Sequence, residues 1–258
     1  MVTEEEIAGV RVTSAGDIFE AAHALRRAVE ARLGNWRVAS CLSLASPKQM
    51  SDGRGGILAT SVFGWTDHDD DRWWRRNRIA LESPLPEACR YESEPMWLND
   101  EGVHAFGPNP LLSRIDLSNF QQRALCHAAI LIPVHLPFGR IGAVSLVPRD
   151  RSKRDLSAEH AAHGHDLAHL ARIFITSCAR LEPAEEQMPV GIALSKREVE
   201  CLRWAAAGKT DLEISMIIDR SRATIRFHMH NATTKLDAVS RSHAVFKAAS
   251  LGYLSPQH

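Results

Sequence analysis

Apolar and polar positions are patterned most regularly in the last quarter of the chain. Between Leu194 and Leu254 the apolar residues recur at helical spacing in four short runs. Val199, Leu202 and Ala206 share one face of the first, and Leu212, Ile214, Ile217 and Ile218 supply the second. Ile225, Met229, Ala232 and Leu236 step along the third, and Val245, Ala248, Ala249 and Leu251 along the fourth. Residues three and four apart are neighbours on a helix surface, so the spacing predicts four amphipathic helices. Each has a start signal. Ser195-Lys-Arg-Glu198 and Thr210-Asp-Leu-Glu213 are capping boxes, in which a hydroxyl and a carboxylate satisfy the first backbone N–H groups. Ser221 and Ser240 can cap the other two, and Gly208 suits the end of the first. Only Asp219-Arg220 separates the second helix from the Ser221 cap, which is the short connection of a helix-turn-helix.

The first two-thirds of the chain mixes both periods. Asp17 to Leu33 reads as a helix with Ile18, Ala21, Ala22, Leu25, Ala28, Val29 and Leu33 on one face, stopped at Gly34-Asn35. Trp36 to Leu44 alternates and predicts a strand, Ser46 to Gly56 a loop, and Ile57 to Trp65 a second strand antiparallel to the first. A helix is expected after Asp67-His-Asp-Asp-Asp71 and runs to about Leu81. Ser83-Pro84-Leu85-Pro86 breaks it, one further turn covers Glu87 to Tyr91, and a Gly- and Pro-containing loop follows Trp97 as far as Pro110. Asn119 to Ala128 predicts a helix. Ala129 to Leu136 and Ile141 to Val147 predict a hairpin around Pro137-Phe-Gly-Arg140. Ser157 to about Leu181 predicts a long helix with Leu167, Leu170, Ile173 and Phe174 apolar. The expected fold class is α+β: an N-terminal α/β/α sandwich with an antiparallel sheet of about five strands, then a C-terminal all-α four-helix domain. The expected boundaries are 1–181 for the first domain, 182–193 for a linker (EPAEEQMPVGIA) and 194–258 for the second.

Composition narrows the function classes. A chain of 258 residues, 45% apolar, suits two domains with real cores. No apolar run is long enough to span a membrane, and the acidic N-terminus MVTEEEIAGV has no signal-peptide pattern. The five cysteines are scattered and form no CxxC, so neither a zinc site nor a disulfide framework is expected and a reducing cytoplasm is. No cofactor is implied. Formal charge balances at 31 basic and 31 acidic residues, yet Arg220 to Lys247 sets six basic side chains against Asp237 alone. That excess falls where the third helix also has a polar face bearing Arg226, His230 and Asn231. A basic polar face fits DNA phosphates and base edges, and charge alone fits a solvated basic face equally well.

Two further clusters have competing readings. Asp67 to Asp71 fits a hard-cation site, the acidic pocket of a phospho-receiver, or carboxylates favoured at a helix N-terminus. It lacks the Gly turn and distal Glu of a calcium loop. His160, His163, His165 and His169 lie on the long helix, where His165 and His169 could share a metal or simply be solvated; no metal site is expected.

The C-terminal segment resembles the LuxR-type DNA-binding domain over about 60 residues without a gap. The resemblance is carried by Leu194-Ser195, Arg197-Glu198, Cys201-Leu202, Trp204, Gly208-Lys209-Thr210, Glu213-Ile214, Thr224-Ile225, His228, Asn231, Lys235-Leu236, Arg241, Ala244 and Leu251-Gly252. It implies that Ser221 to Leu236 lies in the major groove of double-stranded DNA. Arg226, Phe227 and His230 then stand where family members touch bases, beside Asn231, and Lys209, Thr210, Arg222, Thr224 and Lys235 hold phosphates. His230 occupies a position where Arg or Lys is common and donates with less charge. A homodimer reading a near-palindromic operator is also implied.

The N-terminal part resembles the autoinducer-binding domain that accompanies it, through Ser83-Pro84, the SEPMW stretch ending at Trp97, and IPVHLPFGRIGAVSLV. That resemblance implies a quorum-sensing activator with an acyl-homoserine lactone or variant ligand. Ser145 fits the residue that contacts the acyl carbonyl, and Trp97 the aromatic wall. Trp73 or Trp74 takes a place on the aromatic helix. Ser83 stands where family members carry an Asp that accepts the ligand amide N–H, and losing such a charge-assisted bond costs about 1.5–3 kcal/mol. Three outcomes follow: a different small molecule, weak lactone binding, or a ligand-independent dimerisation or protein-interaction module. An enzyme is not expected, because there is no GxSxG elbow, no local Cys/His signature and no carboxylate pair.

Overall fold

The computed structural model describes residues 1–46, 48–65, 81–182 and 191–255. Its contacts divide the chain near Leu181 and Glu182 into two compact units.

In the first unit five strands form one antiparallel sheet. They are β1 (Trp36–Cys41), β2 (Met96–Asn99), β3 (Val103–Ala105), β4 (Ala128–His135) and β5 (Ile141–Pro148), in the order β1-β5-β4-β2-β3. The hairpin pairs Ile130 with Leu146 through His135 with Ile141, and β1 pairs Trp36 with Pro148 through Cys41 with Ala143. Seven of the eight residues of β4 are buried, as expected of a central strand covered on both faces.

Alternation along the strands divides two cores. Val38, Ile130, Ile132, Val144 and Leu146 face α2 (Ile18–Leu33) and α6 (Ser157–Ala179), where they pack with Leu25, Val29, Leu170, Phe174 and Ile175. Met96, Leu98, Ala129, Leu131, Ala143 and Val147 face the other way, onto α4 (Pro84–Tyr91) and α5 (Phe120–Ala124). The sheet with helices on both faces is the expected architecture.

Several elements differ from the sequence expectation. Ile57 to Trp65 is not a strand: Ile57 makes one bridge to Ser51, and Leu58–Ser61 is a short helix, α3. The buried residues there are Leu58, Ala59, Val62 and Phe63, a spacing of four that suits a helical turn and not a pleat. Gly64 at φ +78° then turns the chain, and the Trp65 indole N–H donates to the Val38 carbonyl at 2.6 Å. The loop after Tyr91 contains β2 and β3, two short strands that complete the five. Ser83 is extended and breaks the helix that ends at Glu82, as expected. Pro84 and Pro86 then start α4 over Pro84–Tyr91, a longer helix than the turn expected at Glu87 to Tyr91, since the first helical turn has no N–H partner to lose. The helix expected over Asn119 to Ala128 is reduced to Phe120–Ala124, bounded by left-handed Asn119 and Leu125. An N-terminal helix unanticipated from the apolar pattern, α1 (Glu4–Val10), is capped by Thr3 and Glu6, and Arg32 grips Glu6 in a two-pronged ion pair at 2.6 and 2.9 Å. Asp67 to Asp71, Trp73 and Trp74 lie outside the described residues.

The second unit has four helices: α7 (Lys196–Ala206), α8 (Asp211–Ile217), α9 (Arg222–Lys235) and α10 (Arg241–Ser250). Cys201, Leu202, Ile214, Ile225, Met229, Ala232, Leu236, Ala244 and Ala248 form its core. The α9 face matches the 4-3-4 apolar spacing. The α8 face does not: Leu212 and Ile217 are 53% and 43% exposed, while Ile214 is buried and Ile218 half-buried. A seven-residue helix buries one narrow stripe, and Leu212 lies about 200° around the axis from Ile214.

Close packing of sheet against α6 generates a stability prediction. A Cβ on Gly142 of β5 would stand 2.8 Å from the Ile175 methyl and 2.9 Å from the Cys41 carbonyl. Gly142→Ala is expected to lower stability by about 1–3 kcal/mol, as overpacking does. Gly107→Ala, where nothing lies within 4 Å, is expected to change the melting temperature little. Thermal melts of both variants check the contrast.

Candidate DNA-binding surface and ligand cavity

The DNA-binding candidate is built from three helix starts. Ser195 and Glu198 complete the capping box of α7, and Thr210 and Glu213 that of α8. Gly208, at φ +80°, closes the preceding turn. Asp219 at φ +50° makes the tight turn after α8, and Ser221 then caps α9 by accepting the Thr224 N–H at 3.1 Å.

Burial of Ile225, Met229 and Ala232 on one side of α9 forces the other side outward. Arg226 is 63% exposed and Phe227 61%. His230 and Arg222 are also exposed, and Asn231 is half-buried. These side chains form one polar face with a single large apolar group, Phe227. Exposed aromatic surface costs free energy in water unless a partner covers it.

The residues expected to hold phosphates divide into two groups. Arg222 is exposed. Lys209 and Thr210 sit at the start of α8 in a recess shared with Arg222 and Arg241. Lys209 stands 3.8 Å from Glu213, and the Thr210 hydroxyl donates to the same carboxylate at 2.9 Å. The Thr224 hydroxyl is bonded to Ser221 at 2.8 Å. Lys235, although exposed, is already paired: its ammonium donates to Glu198 at 2.9 Å and to the Ala193 carbonyl at 3.3 Å. Its structural task is to clasp the end of α9 to the start of α7.

The ligand candidate is a cavity of about 80 Å³ on the α4 side of the sheet. Ala39, Cys41, Leu131, Ala143 and Ser145 form its floor, Leu85, Pro86 and Cys89 one wall, and Gln49, Met50, Ile57 and Leu58 another. Two buried polar atoms here have no hydrogen-bond partner, Gln49 Oε1 and Ser145 Oγ; Ser40, paired with Val144, faces the other core. Burial pushes the Cys41 thiol up to about 11 and the Cys89 thiol up as well, so both are neutral. Lys48, exposed, also lines the cavity.

Of the residues expected to touch a ligand, Ser145 lines this cavity. Trp97 packs with the core on the opposite face of the sheet and stacks on His104 at 4.1 Å. Ser83 is buried and caps α4, accepting the Leu85 N–H at 3.4 Å. Gln49, Cys41 and Cys89 escaped the sequence reading. Only the alternation of WRVASCLSL hinted that a strand there would carry small polar groups into a core. The histidines of α6 meet an aromatic ring: Phe106 lies 4.0 Å from both His160 and His165. Among the described residues no group of three or more His, Cys, Asp or Glu is placed to hold a metal.

Comparison with known proteins places this geometry. Residues 193–248 match the model for bacterial regulatory proteins of the luxR family. The C-terminal unit is thus similar to the DNA-binding domain of that family. The chain as a whole resembles LuxR-type DNA-binding transcriptional regulators that carry an autoinducer-binding-like N-terminal domain. The transcriptional activator protein AhyR of Aeromonas hydrophila is 26% identical over 196 residues, covering 72% of this chain and 71% of AhyR. The transcriptional activator protein VanR of Vibrio anguillarum is 35% identical over 129 residues, 50% of this chain and 52% of VanR. The quorum sensing-dependent regulator RpaR of Rhodopseudomonas palustris is 38% identical over 124 residues, 48% of this chain and 47% of RpaR. The matches thus span about half of the last two relatives. The structure of SdiA in complex with octanoyl-rac-glycerol aligns along the whole of both chains at 19% identity and a TM-score of 0.51, a likeness of fold. Among the described residues no helix is long and apolar enough to cross a membrane.

The Glu198 clasp makes a pH prediction. Burial alone would raise the Glu198 pKa, but Lys235 and the Ser195 N–H outweigh it and hold the carboxyl below the usual range. The folded unit therefore binds this proton more weakly than the unfolded chain. The stabilisation is complete above the unfolded value of about 4.3 and is lost as pH falls through the lower folded value. Glu198→Gln is expected to cost about 1–3 kcal/mol at pH 7 and to flatten the acid limb of the stability curve. Denaturant melts between pH 7 and pH 3 read both effects.

Proposed function

We propose that this protein is a homodimeric, ligand-tuned transcriptional activator of the quorum-sensing type. Its α9 reads a near-palindromic operator, and its cavity takes a small amphiphile. The observation that carries the DNA half is the face of Arg226, Phe227 and His230, held outward by the buried opposite side of the same helix. Arg226 and His230 donate to base acceptors, Phe227 packs on a thymine methyl, and Arg222 with Lys209 takes backbone phosphates. The names of AhyR and RpaR, activator and quorum sensing-dependent regulator, support the regulatory class.

The ligand half rests on the two unpartnered polar atoms beside an apolar wall. A buried hydroxyl without a partner costs about 1–3 kcal/mol, and a ligand that supplies the partner removes that cost. The ligand therefore carries a carbonyl or hydroxyl for Ser145, a hydroxyl or N–H donor for Gln49 Oε1, and an apolar chain for Leu85, Leu131 and Met50. Acyl-homoserine lactones and acylglycerols both have this form, and the acylglycerol bound to SdiA is one example.

Arg226→Ala is expected to abolish operator binding in gel-shift titration while dimerisation and ligand binding remain. Operator affinity within threefold of the parent would refute the assignment of α9. Thermal melts with acyl-homoserine lactones and monoacylglycerols of graded chain length test the cavity. A ligand at 100 times its dissociation constant stabilises by about 2.7 kcal/mol, a rise of several degrees. Folded protein that shifts with neither series would favour a ligand-independent module.

Ser145→Ala separates fold from ligand. Because the hydroxyl has no partner, removing it is expected to leave stability without ligand unchanged or slightly higher. The variant is expected to bind the active ligand about three- to tenfold more weakly, the worth of one neutral hydrogen bond. Calorimetric titration measures the second effect and a melt without ligand the first.

A further inference from the structure

Arg226 has a carboxylate beside it. Asp211, the first residue of α8, lies between two arginines from two other helices. One of its oxygens is paired with Arg241 at the start of α10, and the other stands 3.9 Å from Nε of Arg226. Arg241 is itself fixed, because its other terminal nitrogen donates to the Lys209 carbonyl at 2.6 Å. The Asp211 side chain is 24% exposed and that of Arg226 63%. The carboxylate is thus a rooted group at the base of an exposed one.

We infer that Asp211 is a positioning residue that makes Arg226 a guanine reader. The inference rests on α9 being the base-reading helix. A guanidinium held near its Nε edge keeps both terminal amino groups for the two acceptors of guanine, O6 and N7, the bidentate contact for which arginine is suited. Arginine loses much rotamer freedom when it docks, and a neighbouring carboxylate that restricts it beforehand reduces that loss at the moment of binding.

The same carboxylate brings negative charge toward the phosphate backbone, where it opposes sequence-independent attraction. The two consequences have opposite sign. Removing the charge at Asp211 lowers discrimination at one base and leaves unchanged, or raises, affinity for unrelated DNA. Loss of fold would lower both.

The test starts with selection of duplexes from a randomised pool by the full-length protein, with its active ligand where one is needed. The selected duplex and its guanine-to-adenine variant are then titrated. The parent is expected to prefer guanine about tenfold or more at one position per half-site, and Arg226→Ala to lose that preference. Asp211→Asn is expected to lose at least threefold of the discrimination with no loss on an unselected duplex. Arg241→Lys, which keeps the carboxylate, is expected to retain it. Should Asp211→Asn not fold, Asp211→Ser allows the same comparison. Discrimination within twofold of the parent in the Asp211 variant, with Arg226→Ala having lost it, overturns the inference. A guanine preference that survives in Arg226→Ala instead overturns the base-reading assignment itself.

Discussion

The helix α9 turns Arg226, Phe227 and His230 outward because its other side is committed to a core and its end to an ion pair with the buried Glu198. Ile225, Met229, Ala232 and Leu236 leave only about half of the circumference for solvent. Glu198 then ties that end to α7 by accepting from Lys235 and from the Ser195 N–H at 2.7 Å. A small helical unit has little apolar area to spend on rigidity, so a buried carboxylate with every contact charge-assisted contributes disproportionately to orientation. Breaking such a pair from one side leaves an unpaired buried charge, which costs more than the pair itself contributes.

In the first unit the corresponding constraint is the sheet with two covered faces. The α2 and α6 side is filled by large side chains, among them Leu25, Leu170, Phe174 and Ile175. The α4 side near β1 and β5 is lined by smaller ones, including Ala39, Cys41, Ala143 and Cys89, and space remains. Hydrophobic packing accounts for the walls. It gives no reason to bury Gln49 and Ser145 without partners, and buried polar groups are normally satisfied. A molecule that completes those bonds gives them a reason, and it adds its binding energy to the stability of the unit.

How much of this was legible in the sequence follows the reach of the interactions. The four C-terminal helices were readable almost to the residue, because capping boxes and 3.6-residue spacing act within one turn. The hairpin of β4 and β5 was readable for the same reason. Elements stabilised by distant partners were not. β2 and β3 are only four and three residues long and exist because Ala128 to Leu131 pairs with Met96 to Asn99. Ile57 to Trp65 has strand-like composition but closes a loop organised by Asp52, whose carboxylate accepts the N–H groups of Arg54 and Gly56, both at 2.8 Å. Family resemblance led to Ser145 and equally to Trp97, and sheet register separates them: Ser145 and Leu131 pair on the cavity face, while Trp97 pairs with Ile130 on the other. One residue of register decides which face a side chain reaches, and no local pattern sets it.

The two recognition surfaces use electrostatics in opposite ways. Around α9 a basic excess accumulates in a chain that is neutral as a whole, so attraction to DNA is local and decreases as salt rises. Within that excess Asp211 is a deliberate subtraction, and specificity gains where raw affinity is given up. In the cavity the charged side chain Lys48 is exposed, and the thiols of Cys41 and Cys89 stay protonated. An ionised ligand group placed against Ser145 would surrender its hydration for a neutral hydroxyl partner, whereas a carbonyl or hydroxyl exchanges like for like. The interior therefore selects for uncharged polarity, and a ligand regulates the protein only to the extent that it binds the DNA-competent state better than the alternative.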